Sequence, residues 1–472
     1  MPSLLPPLLI DPPADGATPI LPVGVPDLEK WMKKAPRELA RWAKSAGFTA
    51  APGQVVLVPG PEGAVAKVLF GLGDRGGKEG AASAMWVWSS LPATLPKGVY
   101  RIQARLGRES ATRAALAFLL GAYRFDGYRN GAKAAPDVRL VWPDGADRAA
   151  VDRTALAVAL VRNLINTPAA DMGPDALAKA ARRVAVRAKG KCTVITGADL
   201  LKKNYPAVHA VGRAAAEAPR LIDITWGSPR HPKVTLVGKG VTFDTGGLDL
   251  KPASAMKLMK KDMGGAAAVL GLASMIMEAR LKVRLRVLIP AVENAVAGNA
   301  MRPLDVIKTR SGISVEIGHT DAEGRVILAD ALTEAGSEKP DLLIDCATLT
   351  GAARVALGTD LPALFCNDDR LAAAITSAGE KEADPLWRLP LWPGYRDQVK
   401  GKVADLTNAP EGGYGGAITA ALFLEKFVPA GISWAHIDMM AWNVRSRPGR
   451  PEGGEAQAIR ALYAMIEKRF SA

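Results

Sequence analysis

The chain has 472 residues, of which 49% are hydrophobic. This is too long for one ordinary core and predicts a stable globular protein of at least two domains. Its formal net charge of +14 allows nucleic acid or an anionic membrane surface as a partner. Lysines and arginines are spread along the whole chain without a basic tail or arm, so solvated faces explain the charge better. Nucleic acid is therefore a possible but not an expected partner.

Secretion and membrane insertion are not indicated. The first residues lack the basic region and the small-residue cleavage site of a secretory signal. The longest uncharged helical stretch, Met263 to Met277, is shorter than the roughly 20 apolar residues that span a bilayer. Three cysteines without close spacing, Cys192, Cys346 and Cys366, argue against a disulfide framework and against a cysteine-based zinc site. We expect a cytoplasmic protein that has no membrane partner.

Residues 1–160 are predicted to form a small α/β domain. Short β-rich runs at Val55–Val58, Lys67–Phe70 and Val138–Trp142 alternate with a helical run at Ala114–Tyr123, and this alternation is typical of α/β folds. The glycine-rich segment Gly71–Gly77 could cradle a phosphate group. It lacks the full spacing of a phosphate-binding motif, so this interpretation is weak.

Residues 161–472 are predicted to form a second, larger α/β domain, which a helical run from Thr154 to Leu164 connects to the first. Several strands are almost wholly apolar, which is typical of a mixed, largely parallel sheet covered by helices. The predicted strands are Thr193–Ile195, Leu221–Trp226, Val234–Val237, Arg284–Ile289, Asp341–Cys346, Leu361–Phe365 and Ser433–Asp438, and the predicted helices are Gly265–Ala279, Arg325–Ala335, Ala417–Phe427 and Glu455–Phe470.

Four carboxylates and a lysine stand at glycine-rich turns of this second domain. Lys239 and Asp244 lie in the run Val-Gly-Lys-Gly-Val-Thr-Phe-Asp-Thr-Gly-Gly, Asp262 follows, and Asp321 and Glu323 lie in His-Thr-Asp-Ala-Glu-Gly-Arg. A catalytic metal pair needs several oxygen ligands that converge and hold two cations roughly 3.5–4 Å apart. Lys239 follows one predicted strand and Asp321 follows the run 314–317, and ligands bind at such strand ends. The pattern predicts a two-metal site.

Each acidic residue taken alone also has a structural interpretation. Asp244 can form a turn, Asp262 can cap a helix, and Asp321 with Glu323 can form the acidic first turn of the next helix. Their combination with basic residues in the same motifs favours function. Carboxylates suit manganese and magnesium as well as zinc, so spacing does not name the metal. His319 is predicted to support a turn or a ligand rather than to bind metal itself.

These motifs, together with Leu-Lys251-Pro and Asp262-Met-Gly-Gly, resemble the motif set of the leucine aminopeptidase family. Members are dinuclear metallopeptidases that remove N-terminal residues from peptides. The resemblance covers residues 160–472 and is reinforced by the runs Asn166–Pro168, Ala347–Gly351 and Gly416–Ala420. Residues 1–160 are similar to the family's N-terminal domain only in position and βα character. The second domain would therefore be the catalytic one.

The resemblance implies a role for each acidic residue. Lys239 and Asp262 would bind one divalent metal ion, Mn²⁺ or Zn²⁺, and Asp321 would bind the other. Asp244 and Glu323 would bridge the two ions. A lysine ligand must be neutral, and a dication a bond length away would depress its pKa far enough to release the proton.

The resemblance also implies residues for the reaction and for specificity. Lys251 would stay charged and stabilise the oxyanion that forms when a metal-bridging water attacks the scissile carbonyl. Arg325 would hold a bicarbonate ion that relays the proton to the leaving amine. An apolar, leucine-like first side chain would lie in a pocket lined by Met259, Thr348, Leu349 and Gly351. Met259 can equally be a core methionine.

Peptides with a free N-terminus and a homo-hexameric assembly are the partners that the resemblance implies. The chain departs from the family at Gly318-His319, where an asparagine is usual before the second acidic motif, and at Thr245, where a serine is usual. Neither departure removes a ligand, although pH dependence or metal preference can differ. The segment from Asp438 to Glu455 departs as well, at the outer wall of the pocket.

Two other functions remain open at the level of sequence. A two-metal site can also hydrolyse phosphoesters, but the chain has no complete phosphate-binding or nuclease motif. A DNA-binding protein, with or without peptidase activity, would use the positive charge, and its affinity would fall steeply with salt.

Overall fold

The computed structural model describes residues 7–12, 16–74, 80–130 and 137–471. The chain divides into two compact units, residues 1–159 with 445–451, and residues 160–444 with 452–472. Residues 75–77 of the predicted phosphate loop lie outside the described residues. Within the described residues, no helix combines the length and apolar character needed to cross a bilayer.

The first unit contains a six-stranded sheet. Its strands are β1 (Leu9–Ile10), β2 (Thr18–Val23), β3 (Val55–Pro59), β4 (Val65–Gly71), β5 (Gly98–Ile102) and β6 (Val138–Val141). They are arranged in the order β1-β6-β5-β2-β4-β3, and the pairing is parallel except between β3 and β4. The helices of this unit are α1 (Leu28–Lys34), α2 (Arg37–Ser45), α3 (Gly80–Val87), α4 (Leu91–Thr94) and α5 (Arg108–Gly121).

The return of segment 445–451 to the first unit is explained by its contacts there. The guanidinium of Arg450 lies 4.2 Å from the ring centroid of Trp86, an attractive arrangement of a cation over an aromatic face. Gly449 has φ +68°, and a Cβ at this position would lie 2.7 Å from the same indole ring. Only glycine combines this backbone conformation with such close packing.

Helix α6 (Arg148–Asn166) begins in the first unit by sequence and ends in the second. The second unit has a nine-stranded mixed sheet of order β16-β15-β18-β14-β9-β11-β8-β7, with β10 paired to β11. These strands are β7 (Lys191–Thr196), β8 (Arg220–Trp226), β9 (Lys233–Gly238), β10 (Gly240–Asp244), β11 (Arg284–Asn294), β14 (Leu342–Ala347), β15 (Ala363–Cys366), β16 (Trp387–Arg388) and β18 (Trp434–Asp438).

The centre of this sheet is parallel, and antiparallel pairs occur toward its two sides. Strands β11, β9, β14 and β18 run parallel to one another. The pairs β8 with β11, β7 with β8, and β15 with β18 are antiparallel. The predicted fold class, α/β with a mixed, largely parallel sheet, is confirmed. Smaller sheets are formed by β12 (Val306–Lys308), β13 (Ser314–Glu316) and β17 (Leu406–Thr407), and by β19 (Trp442–Asn443) and β20 (Gly453–Gly454).

Helices cover the large sheet. They are α7 (Pro174–Arg187), α8 (Asp199–Lys202), α9 (Pro206–Gly212), α10 (Ala253–Met256), α11 (Gly264–Glu278), α12 (Glu323–Ser337), α13 (Gly351–Leu357), α14 (Asp369–Lys381), α15 (Gly416–Glu425) and α16 (Ile459–Phe470). Helix α11 approaches β14 so closely that a Cβ on Gly265 would lie 2.0 Å from the carbonyl oxygen of Cys346. This contact fixes the start of α11 against the sheet.

The structure differs from the sequence prediction at one strand that precedes the site. Asp321 was expected to follow a strand end, and it does follow β13, but β13 pairs with β12 and β17 in the separate three-stranded sheet and not in the main one. An apolar strand can pair with any compatible edge, and periodicity does not select among them. The residues that follow β13 nevertheless return to the site.

Candidate metal centre and substrate pocket

Lys239 and Asp244 are placed by two strands that both pair in parallel with β11. Lys239 lies between β9 and β10 and is 3% exposed, and Asp244 ends β10. The Oδ1 atom of Asp244 accepts hydrogen bonds of 2.8 Å from the amide of Gly246 and from Nδ2 of Asn294. Asp244 therefore does form the predicted turn, while its Oδ2 atom faces the site.

Asp262 ends the short 3₁₀ turn Met259–Lys261 that precedes α11. The structure does not support the alternative in which Asp262 caps this helix, because the N-terminal residue before α11 is Met263 and makes no side-chain capping bond. Instead, Oδ1 of Asp262 accepts a 2.8 Å hydrogen bond from Oγ1 of Thr348. This bond leaves Oδ2 directed at Lys239.

Glu323 is the first residue of α12 and is fully buried. Its Oε1 atom lies 3.0 Å from Nζ of Lys239, and its Oε2 atom has no hydrogen-bond partner within the described residues. The next residue packs closely on Lys239, because a Cβ on Gly324 would lie 2.5 Å from Nζ of Lys239. Glycine at residue 324 therefore lets the N-terminus of α12 and the lysine after β9 meet without a shift of the ammonium.

The predicted ligands converge in the structure. Oxygens of Asp244, Asp262 and Glu323 all lie within 4.8 Å of one another. Nζ of Lys239 lies 2.8 Å from Oδ2 of Asp262 and 3.0 Å from Oε1 of Glu323. The fourth carboxylate, Asp321, joins the group through Lys251 rather than directly.

Lys251 bridges the remaining two carboxylates. Its Nζ lies 2.9 Å from Oδ2 of Asp244 and forms a short ion pair with Oδ1 of Asp321. Burial alone lowers the pKa of Lys251, but Asp244 and Asp321 raise it above the ordinary lysine value. Lys251 is therefore a charged ammonium at neutral pH, as its predicted role requires.

Burial and the neighbouring charges shift the pKa values of the residues in this cluster. Burial and the Asp244 charge raise the pKa of Glu323 to about 8. Burial and the Asp262 charge likewise raise the pKa of Asp244 to about 6. Burial lowers the pKa of Lys239, but the carboxylates of Asp262, Glu323 and Asp244 outweigh it and raise the pKa above the ordinary value. Without a metal, Lys239 is the cation that balances the buried acids.

The residues present fit a pair of divalent cations. Oδ2 of Asp262 and Oε1 of Glu323 face the ammonium of Lys239, Oδ1 of Asp321 pairs with Lys251, and Oε2 of Glu323 is buried without a hydrogen-bond partner within the described part of the chain. Buried carboxylates in this state are unfavourable unless a cation satisfies them. Oxygen ligands with one nitrogen suit manganese or zinc.

Arg325 and His319 lie on either side of the Asp321 turn. Nη1 of Arg325 donates a 2.6 Å hydrogen bond to the carbonyl of Asn408, and burial lowers the pKa of Arg325 to about 10. His319 is 51% exposed at its side chain, and its Nδ1 accepts a 3.1 Å hydrogen bond from the amide of Asp321. This contact agrees with the supporting role predicted for His319.

A cavity of about 540 Å³ opens onto this cluster. All four residues predicted to contact the first side chain line it, namely Met259, Thr348, Leu349 and Gly351. The loop that carries three of them is fixed by Asp438, whose Oδ1 accepts hydrogen bonds from the amides of Leu349 and Thr350 at 3.0 and 3.1 Å. Glu323 and Arg325 are not among the residues that line the cavity.

Two family models together match most of the chain. A model described as "Cytosol aminopeptidase family, catalytic domain" matches residues 159–463, and one described as "M17 aminopeptidase, N-terminal domain" matches residues 18–143. A protein named "Probable cytosol aminopeptidase" from Caulobacter vibrioides is 39% identical over 453 residues, which cover 92% of this chain and 91% of that protein. This chain belongs to the cytosol aminopeptidase family. The resemblance inferred from its motifs is confirmed, and the chain is a metallopeptidase.

Solved structures of cytosol aminopeptidases and related enzymes have the same fold. A cytosol aminopeptidase from Coxiella burnetii is 46% identical, with a TM-score of 0.92 over 98% of this chain and 99% of that one. The bottromycin maturation enzyme BotP in complex with Mn is 37% identical, with a TM-score of 0.86 over 96% of this chain and 99% of that one. The likeness includes the N-terminal unit, which the motifs alone matched only in position and character.

Several residues that support the site in this protein are not marked by any motif in its sequence. Oδ1 of Asn408 accepts a 2.8 Å hydrogen bond from the amide of Gly318, and Nδ2 of Asn408 donates a 2.9 Å hydrogen bond to the carbonyl of His319. The hydroxyl of Thr320 donates to the carbonyl of Gly246 at 2.6 Å. These residues act through contacts between segments far apart in the chain, and no local motif could show them.

Proposed function

We propose that this protein removes the N-terminal residue from peptides with a free amino group, using two divalent metal ions, Mn²⁺ or Zn²⁺. The observation that carries the proposal is the convergence of four carboxylates beside one cavity, where the ammonium groups of two lysines face their oxygens. Such a donor set is costly to bury unless cations complete it.

The proposed ligands are those that the motifs predict. Lys239 and Asp262 would hold one ion, Asp321 the other, and Asp244 and Glu323 would bridge them. Bound ions would polarise the scissile carbonyl and supply a nucleophile from water at neutral pH. Lys239 would release its proton when it becomes a ligand, because its present partners are the same carboxylates that would then bind metal.

Lys251 is proposed to stabilise the oxyanion. It lines the cavity and holds its charge between Asp244 and Asp321. With Asp244 and Asp321 engaged as metal ligands, the ammonium of Lys251 would have donors available for the substrate oxygen. A positioned cation in a site of low polarity stabilises developing negative charge strongly.

Arg325 is proposed to hold a bicarbonate ion that passes a proton to the leaving amine. Its Nη1 is fixed by Asn408, while its Nε has no hydrogen-bond partner within the described residues. The guanidinium thus keeps donors available for a planar anion. The fixed orientation supports a binding role rather than a mobile one.

The first side chain of the peptide is proposed to lie among Met259, Thr348, Leu349 and Gly351. Met259 and Leu349 offer apolar surface, so leucine-like residues are expected to be accepted. We further propose a cytoplasmic location and a homo-hexameric assembly.

Hydrolysis of leucine amides by the purified protein, after addition of manganese or zinc, tests the proposed function. We expect turnover that Asp321→Ala or Glu323→Ala abolishes. Asp199→Ala, which removes an exposed carboxylate that forms an ion pair with Lys202, is the matched control and should retain full activity. Absence of turnover in the metal-supplemented wild type would contradict the proposal.

A further inference from the structure

The lining of the substrate cavity includes a buried cation that the proposed metal site does not use. Lys261 lines the cavity and is only 4% exposed. Its ammonium has no hydrogen-bond or ion-pair partner within the described residues. An ammonium has three donors, and burying it without acceptors is unfavourable. The chemistry that would satisfy Lys261 is an anionic ligand in the cavity.

A second cation lines the same cavity from the first turn of α13. Nη1 of Arg354 contacts Sδ of Met440 at 3.6 Å, and a thioether is a weak acceptor. Nη2 of Arg354 would lie 3.3 Å from a Cβ on Gly351, so the guanidinium lies beside the proposed first-residue pocket. No carboxylate pairs with Arg354 in the part of the chain that the structure describes.

Two carboxylates interact electrostatically with Lys261, and they belong to Asp262 and Asp438. Both are engaged by other groups. Oδ1 of Asp262 accepts from Thr348 and Oδ2 pairs with Lys239. Both oxygens of Asp438 accept hydrogen bonds from the loop that follows β14. The two cations therefore keep donors for a group that comes from outside the chain.

We propose that the pocket favours glutamate as the first residue of the peptide, with Lys261 and Arg354 binding its carboxylate. This inference rests on the proposed aminopeptidase function and extends the apolar preference expected from the family. The apolar side chains of Met259, Leu349 and Met439 line the same cavity and would cover the methylene groups of the glutamate. A side chain with an aliphatic stem and an anionic tip matches both parts of the lining.

Isosteric substrates test the inference, because glutamate and glutamine differ in charge but hardly in shape. We would measure kcat/KM for glutamyl, glutaminyl and leucyl arylamides with the metal-loaded enzyme. A charged hydrogen-bonded pair should give the glutamyl substrate about a tenfold advantage over the glutaminyl one. In Lys261→Met and in Arg354→Gln this ratio should fall toward one. Lys257→Met, which removes an exposed lysine of the same segment, should leave it unchanged.

The ratio within one variant cancels any general loss of activity from a disturbed metal site. Equal rates on glutamyl and glutaminyl substrates in the wild type would overturn the inference even if neither variant folds. An unchanged ratio in a folded, active Lys261→Met would overturn it as well. Hydrolysis of the leucyl substrate in those cases would leave the proposed function standing, whereas failure on every substrate would reject the proposed function itself.

Discussion

Lys251 is the residue whose charge the proposed reaction needs most directly. It is held by Asp244 and Asp321 and lines the cavity. Lys251→Met keeps the length of the side chain and removes the charge. We expect kcat to fall by about 100-fold to 1000-fold, as for the loss of an oxyanion donor, while the metal content stays near that of the wild type. Steady-state kinetics and elemental analysis measure the two quantities, and an unchanged kcat would contradict the role.

Glu323 should make the metal-free protein less stable as pH rises. Burial raises its folded-state pKa to about 8, whereas an unfolded glutamate titrates near about 4.3. The folded state therefore holds a proton that the unfolded state has lost, and unfolding releases protons between these values. The free energy of unfolding should fall by on the order of 1 kcal/mol per pH unit in this range.

Chemical denaturation of the chelator-treated protein at pH 6 and pH 8 measures this effect. Glu323→Gln should weaken the dependence of the free energy of unfolding on pH, because glutamine is neutral at every pH. Metal loading should reverse it, because the ligands must then be ionised and metal binding releases protons. Greater stability of the metal-free wild type at pH 8 than at pH 6 would show that the cluster is not arranged as described.

At the scale of elements, Asp438 links the end of β18 to the loop between β14 and α13. Its carboxylate oxygens accept hydrogen bonds from the backbone amides of Leu349 and Thr350 and from the hydroxyl of Thr350. Asp438→Asn would replace one acceptor by a donor and leave the loop unsatisfied, a change of about 1–3 kcal/mol. We expect a KM raised about tenfold together with lower stability.

The control for this prediction is Asp341→Asn. The carboxylate of Asp341 accepts a 2.7 Å hydrogen bond from the amide of Lys233, and Asp341 is not among the residues that line the cavity. The substitution should lower stability without changing KM. Equal KM values for the two variants would mean that Asp438 acts on the fold alone. Kinetics and denaturation of the same preparations separate these outcomes.

The sequence predicted elements with continuous apolar runs and missed those defined by partners. Strands β9 and β14 were predicted because their residues are mostly apolar, as expected of a buried parallel sheet. Strand β10 was missed, because Gly240 and Asp244 at its ends read as turn residues and its pairing depends on distant β11. The ligand motifs are local in sequence and were therefore visible, whereas Asn294 and Asn408 support them from segments far along the chain.

At the scale of the whole molecule, the second unit exposes large apolar side chains. Tyr414, two residues before α15, is 95% exposed, and Val355 in α13 is 90% exposed. Helices α15 and α13 meet where a Cβ on Gly416 would lie 3.2 Å from Ala352. Exposed apolar groups of this kind mark association surfaces. We therefore expect the proposed homo-hexamer to bury them between copies of the chain.

Light scattering at micromolar concentration should give the mass of six chains. Tyr414→Asp should shift the mass toward smaller species, whereas Tyr128→Asp, at a 57% exposed tyrosine of the first unit, should not. A monomeric wild type would reject the assembly.

The missing side chain at residue 324 limits which sequences can keep this site. Because a methyl group there would overlap the end of the Lys239 side chain, an alanine at this position requires the buried ammonium to shift from its place beside Asp262 and Glu323. Drift at residue 324 therefore acts on the proposed ligand set, even though the glycine itself is not a proposed ligand. In a genome survey, a chain with this fold and a larger residue here is one whose proposed lysine ligand must take a different position.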